Sequence, residues 1–319
     1  MPGSIHGSPM VDVVLGERRP AAPGLIVLRR AARRPAAAAS AGALILLVVA
    51  ALAAPIVAHL LGSEPDAVDL LGRFAPPSAA HPLGTDELGR DMLLRLLYGG
   101  RVSLAVGVSA ALAAAAIGTV VGLVAGYRGG RTDAVLMRMT DGVIALPLLP
   151  LLIVLAAVDP RKLGVPAAIA DAEYFSLVRL VPVIAMVGWT TVARLVRAST
   201  LSLKTRDFVL AAIAQGAGSW RVMLRHILPN LTAPILVATT LSVGAVILLE
   251  SVLSFLGLGI QPPQPSWGNM LTNAQELIGT APALAIYPGL CIFVTVIACN
   301  LLGDVLQDAF DPRRGGRLR

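Results

Sequence analysis

The 319-residue chain is 56% hydrophobic and 14% charged, with a mean hydropathy of +0.77. A soluble domain needs far more charge to cover its surface, so the composition excludes that class and indicates a polytopic membrane protein. The net charge of +7 does not signal a nucleic-acid partner, because the basic residues sit in short segments between apolar runs, where the positive-inside rule places them.

Residues 1–35 are rich in arginine, proline and glycine and read as a cytoplasmic N-terminal tail. The first apolar run, 36–61, contains Pro55. A signal peptide cleaved near Ala51-Leu52-Ala53 is the rival reading, and the long tail and long apolar run weigh against it. From Asp86 on, Leu88, Met92, Leu93, Leu96 and Leu97 recur at helical spacing, with Arg90, Asp91 and Arg95 between them. That pattern predicts an amphipathic helix along the membrane interface.

A second span at 102–127 carries Gly118, Gly122 and Gly126, a small-residue stripe suited to close helix approach. The third, at 134–158, is interrupted by Pro147 and Pro150, and the fourth, at 174–198, holds Arg179 and Pro182. After a loop at 205–230 come a fifth span at 231–257, a Pro-rich segment, a sixth span at 281–303 and a cytoplasmic tail, 311–319. The expectation is an all-α fold of about six transmembrane helices, with one membrane domain over 36–310. Cys291 and Cys299, about 12 Å apart along one helix, are too distant to pair within it, and the four histidines form no ligand cluster.

Arginine and lysine set the orientation. With the N-terminus inside, inner segments hold six in the tail, three in 128–138, six in 194–225 and four in 313–319, against seven outside. The asymmetry predicts both termini in the cytoplasm, and with them the 205–230 loop.

That loop is a compact, basic, helix-forming block. Thr205 or Asp207 is placed to cap a first short helix, and Ala211 and Ala212 leave its backbone open to a partner. Gly216 suits a left-handed helix end, and Ser219 a second N-cap. Trp220, Met223, Leu224 and Ile227 fall on one apolar face, Arg221 and Arg225 lie off it, and Pro229 is expected to stop the helix. Residue pattern alone suits equally a helix resting on lipid headgroups and one docked on a protein.

The block resembles the EAA signature of ABC importer permeases. Leu210-Ala211-Ala212 is followed by three residues, Gly216, nine residues and His226-Ile227-Leu228-Pro229. Leu210 stands where the signature has Glu, and His226 where Ile is typical. The segments H-P-L-G-T-D-E-L-G-R-D (81–91), G-Y-R-G-G-R-T-D (126–133), S-F-L-G-L-G-I-Q-P-P-Q-P-S-W-G (254–268) and N-L-L-G-D-V-L-Q-D-A-F-D-P-R (300–313) extend the likeness to the C-type permease subunit of dipeptide and oligopeptide importers, the peptide/nickel class. The resemblance implies a type I importer permease fold in a bacterial or archaeal cytoplasmic membrane. It also implies a second permease subunit, two ABC ATPase subunits or domains that bind the ATP, and an extracytoplasmic substrate-binding protein. By the same analogy residues 207–229, including Asp207, Leu210, Ala211, Ala212, Gly216, Ser219, Trp220, Arg221 and Pro229, couple to an ATPase.

Independently, neither lysine follows a glycine, so the chain contains no Walker A loop to cradle phosphates. No H-E-x-x-H or G-x-S-x-G pattern occurs either, and no catalytic, cofactor or metal residues are expected. Asp141 and Glu250 are the intramembrane carboxylates, each suited to helix pairing or, with Ser254, to a path or gate. Thr190, Thr191, Ser242 and Ser251 are further hydroxyls for a path, although such groups commonly bond their own helix. Peptide uptake is the leading expectation. Nickel or another small solute is the alternative within the class, and a self-sufficient secondary transporter outside it.

Overall fold

A computed structural model describes residues 35–310, apart from 171 and 173. The expected tails therefore lie outside the described residues, except for Pro35, which opens a helix. The described chain is helical: α1 (Pro35–Leu52), α2 (Ala54–Leu61), α3 (Met92–Arg128), α4 (Gly130–Ala145), α5 (Leu148–Ala157), α6 (Phe175–Leu203), α7 (Asp207–Ala214), α8 (Ser219–Phe255) and α9 (Ala283–Phe310), with short helical turns between. Five of these helices are long and apolar enough to span a bilayer. The bent pair α4–α5 makes the sixth crossing, turning through 89°. Pro147, extended at the break, starts α5, and its missing N–H falls where a helix start has no intrahelical acceptor.

The separate interfacial helix expected from Asp86 is not formed. Asp91 caps the N-terminus of α3 by accepting the Leu94 N–H at 2.8 Å, and the helix then runs unbroken for 37 residues. That is about 55 Å, well beyond a hydrocarbon core of about 30 Å, so its first turns stand outside the bilayer. Residues 86–90 form a tight turn instead. Asp86 accepts the Leu88 and Arg90 N–H groups, both at 2.9 Å, and pairs with the guanidinium groups of Arg90 at 2.7 Å and Arg95 at 3.3 Å. The helical spacing of leucines there belongs partly to this turn, in which the charges are buried and the carboxylate organises the backbone.

Lipid tails are as apolar as leucine, so helix association rests on close packing. The glycine stripe of α3 supplies it. A methyl group on Gly118 would stand 2.5 Å from the Trp189 carbonyl oxygen, one on Gly122 would collide with the Ala193 carbonyl, and one on Gly126 would lie 2.7 Å from Thr200 Cβ. α3 and α6 thus touch backbone to backbone. α8 packs on both, and α9 closes against α8 where Gly244 meets Cys299 and Gly303 meets Leu241.

The ends sort into two sides. Ala37 at the start of α1 meets Val305 near the end of α9. Gln307 and Phe310 face Asn230 and Ala233, and Lys204 Nζ donates to the Gly126 carbonyl at 3.0 Å. The 205–218 segment therefore shares one side of the bundle with the first and last described residues. The opposite side carries residues 62–91 and 256–282, the latter held to α3 where Trp267 Nε1 donates to the Leu96 carbonyl at 3.0 Å.

Candidate functional site

The 205–230 block folds as two helices with a turn between them. α7 ends in a motif that requires a left-handed residue. Gly216 has φ +84°, its N–H reaches the Ile213 carbonyl at 2.9 Å, and the Ala217 N–H reaches the Ala212 carbonyl at 3.0 Å. The caps differ from expectation. Arg206 and Gly218 occupy the two N-cap positions without side-chain bonds, and the Thr205 hydroxyl donates backward to the Ser202 carbonyl at 3.1 Å. Asp207 sits in the first turn, where its charge favours the helix dipole. Ser219 opens α8 but does not cap it.

Pro229 does not stop the helix. Residues Val222–Ile227 form a π-helical turn that leads straight into Leu228–Phe255. Proline has no N–H for the carbonyl one turn back, and its ring crowds that carbonyl. The wider turn relieves both, with the Leu228 N–H reaching the Met223 carbonyl. The Asn230 side chain donates to the His226 carbonyl at 2.7 Å.

The extra residue in this turn changes the buried face. Val222, Met223, Ile227 and Leu231 are fully buried, whereas Trp220 and Leu224 are 59% and 53% exposed. The expected face of Trp220, Met223, Leu224 and Ile227 is therefore half right. On α7, Val209 packs in one cluster with Val222 and Met223, Ala212 is buried, and Ala211 is exposed. Phe208, Leu210 and Ile213 on α7 and Trp220 and Leu224 at the start of α8 are exposed, as are Asp207, Ser219, Arg221 and Arg225 of the same two helices, which share the buried cluster of Val209, Val222 and Met223. The result is an apolar patch rimmed by charge, on a side of the bundle that also bears Arg128, Arg131, Arg194, Arg197 and Arg206. Patches of this kind mark interaction surfaces.

The carboxylates separate in role. Asp141 on α4 is half exposed and pairs with Arg194 on α6 at 2.6 Å, one turn along α6 from Arg197, which holds Asp133 in a bidentate pair at 2.5 and 2.6 Å. Glu250 is fully buried. Ser103 from α3 donates to its Oε2 at 3.0 Å, and Ser254, one turn on along α8, donates to its Oε1 at 2.7 Å. Nothing in the sequence brings Ser103 to Glu250 across 147 positions, and Ser103 and Trp267 are site residues that sequence reasoning missed.

Between α6, α8 and the end of α9 lies an open, mainly apolar groove of about 810 Å³, with Thr191, Ser242 and Asn230 among its few polar lining groups. Ser242, Thr190 and Ser251 donate to carbonyls of their own helices. On the opposite side, a cavity of about 360 Å³ is bordered by Asp86, Arg90, Arg95, Ser254, Gln261 and Asn269. Among the described residues no cluster of three His, Cys, Asp or Glu side chains stands ready for a metal.

Residues 118–316, more than half the chain, match the family of binding-protein-dependent transport system inner membrane components. The chain belongs to that family. This permease is 42% identical over 237 residues to the glutathione transport system permease protein GsiD of Pectobacterium atrosepticum, 74% of each chain. It is 41% identical over 241 residues to the dipeptide transport system permease protein DppC of Alkalihalophilus pseudofirmus, covering 76% of this chain and 75% of the relative. It is 38% identical over 245 residues to the oligopeptide transport system permease protein OppC of Bacillus subtilis, covering 77% and 76%. The permease is thus a multi-pass component of the cytoplasmic membrane. Its family match takes in the glycine stripe, the α7–α8 block and Glu250, and excludes Ser103 and the 86–90 turn.

Proposed function

We propose that this chain is the non-catalytic permease subunit of an ATP-driven importer of di- and oligopeptides. The observation that carries the reading is the charge-rimmed apolar patch of α7 and the first turn of α8. Covering it requires a partner surface with a groove, and a separate ATPase subunit has the needed chemistry. Relatives similar along about three quarters of the chain bear the names of peptide-transport permeases, which supports the cargo. The positive-inside asymmetry puts the patch, and both chain ends, in the cytoplasm.

In this reading ATP is bound by two ATPase subunits or domains, and this chain holds no cofactor. A second permease subunit faces the α6–α8 groove and shares the path, while an extracytoplasmic binding protein delivers cargo to the side bearing residues 256–282. Asp207, Leu210, Ala211, Gly216, Ser219, Trp220 and Arg221 form or frame the docking surface. Ala212 supports α7 from beneath, and Pro229 sets the rotation of the first turn of α8. Asp141 pins α4 to α6, and Glu250 with Ser254 acts at the outer end of α8.

The test is uptake of a labelled dipeptide into vesicles. ATP-dependent uptake by the full assembly, and none by this chain alone under a pH gradient, is the expected result. Gradient-driven uptake by this chain alone would overturn the reading. Uptake of Ni²⁺ with no competition from peptides would overturn the cargo.

A further inference from the structure

α8 is one rod of 37 residues from the inner patch to the outer side. At its outer end the chain doubles back as a strap, residues 260–267, lying across the starts of α3 and the end of α8. The strap is hung at both ends on one carboxylate. Ser254 donates to Glu250 Oε1 and accepts the Ile260 N–H at 3.0 Å. Ser103 donates to Glu250 Oε2 and accepts the Trp267 N–H at 3.2 Å. Among the described residues every hydrogen-bond donor to Glu250 is a serine hydroxyl, and one of them, Ser266, belongs to the strap itself.

The polarity of this arrangement is specific. Each serine must spend its one proton on the carboxylate so that its lone pairs face the strap, and only a group that accepts on both oxygens orients both serines. Packing fits the same purpose. The Trp267 ring fills a slot over Gly100, where an added methyl would stand 3.0 Å from Cζ2, and Gly99 admits the Ser266 backbone. Asn269 ties the strap to itself, donating to the Gln264 carbonyl at 2.7 Å and accepting the Ser266 N–H at 2.9 Å.

We propose that Glu250 is a positioning residue that locks the 260–267 strap to α3 and α8 through Ser103 and Ser254, so that the strap moves with α8 when the inner patch is engaged. The inference rests on the transport reading for its purpose, but the lock itself is a property of the chain. Buried ionisable groups inside a membrane are costly and are retained where they act, and here the action is on the outer strap rather than on cargo.

The experiment places a cysteine probe at Ile260, which is buried and whose bond to Ser254 uses only its backbone N–H. In the solubilised whole assembly, with Cys291 and Cys299 replaced by serine and alanine, maleimide labelling of this probe is timed. Glu250→Ala is expected to speed labelling at least tenfold, and Glu250→Gln, which can accept on only one oxygen, to give an intermediate rate. Ser254→Ala frees the Ile260 end and is expected to exceed Ser103→Ala, which frees the Trp267 end. With the same assemblies reconstituted into sealed liposomes, Glu250→Gln should lower peptide moved per ATP hydrolysed at an unchanged melting temperature of the assembly. A space-filling role predicts that Glu250→Gln labels like the parent. That result, or equal effects of the two serine variants, overturns the proposal. If labelling follows the expected order while the parent assembly moves no peptide, the lock stands and the cargo reading fails.

Discussion

At Gly216 the backbone is in the left-handed region, and a Cβ there costs about 1–2 kcal/mol. Gly216→Val is therefore expected to leave insertion intact and to cut ATP-driven uptake about tenfold, the equivalent of about 1.4 kcal/mol, measured as labelled-peptide uptake normalised to chain in the membrane. The two adjacent alanines separate more sharply. Ala211 is exposed and Ala212 is buried. Ala211→Arg should abolish uptake at normal chain levels, whereas Ala212→Arg buries an unpaired charge worth about 3–5 kcal/mol and should deplete the chain itself, as read by immunoblot. Equal chain levels in both would contradict the orientation of α7. The sequence spacing located this pair, but which alanine faces out depends on the neighbour it packs against, and that neighbour's rotation is set by Pro229.

The helices show the same division between what is local and what is not. Period and composition placed the apolar runs, because each helix satisfies its own backbone bonds in lipid. The glycine stripe was legible because close approach needs small residues in a row, and α6 does lie along it. Gly122→Leu is expected to part α3 from α6 and cost at least about 1–3 kcal/mol, seen as a lowered melting temperature of the solubilised assembly. Illegible were the continuation of α8 through Pro229 and the start of α3 at Met92. Both are decided by how a backbone group is satisfied: an extra residue in a turn in one case, a capping Asp91 in the other. Pro229→Ala restores the missing N–H and removes the reason for the wide turn. The first turn of α8 should then rotate by about 100°, one residue of an α-helix, turning Trp220 and Leu224 away from the patch. Loss of coupled uptake at unchanged melting temperature is expected.

Across the whole molecule, the two sides carry different chemistry. One has the basic segments, both described chain ends and the apolar patch. The other has the 86–90 turn with its buried charges and the strap anchored by Trp267. α8 is the element that connects the patch to Glu250, and α3 returns from Ser103 to the Gly126–Lys204 contact. The long-range joins, Glu250 to Ser103 and Trp267 to Leu96, could not be read from sequence because serine and tryptophan carry no label for a partner more than a hundred residues away. The central claim is that the patch docks on a nucleotide-hydrolysing subunit. It is tested most directly by a cysteine at Ala211 in the assembled transporter, with Cys291 and Cys299 removed, treated with a short bifunctional thiol reagent. A cross-link to the ATPase subunit, blocked by reagents that reach only the cytoplasmic side, is the expected result. A cysteine labelled only from outside, or one that joins no ATPase in an assembly still importing peptide, would contradict it.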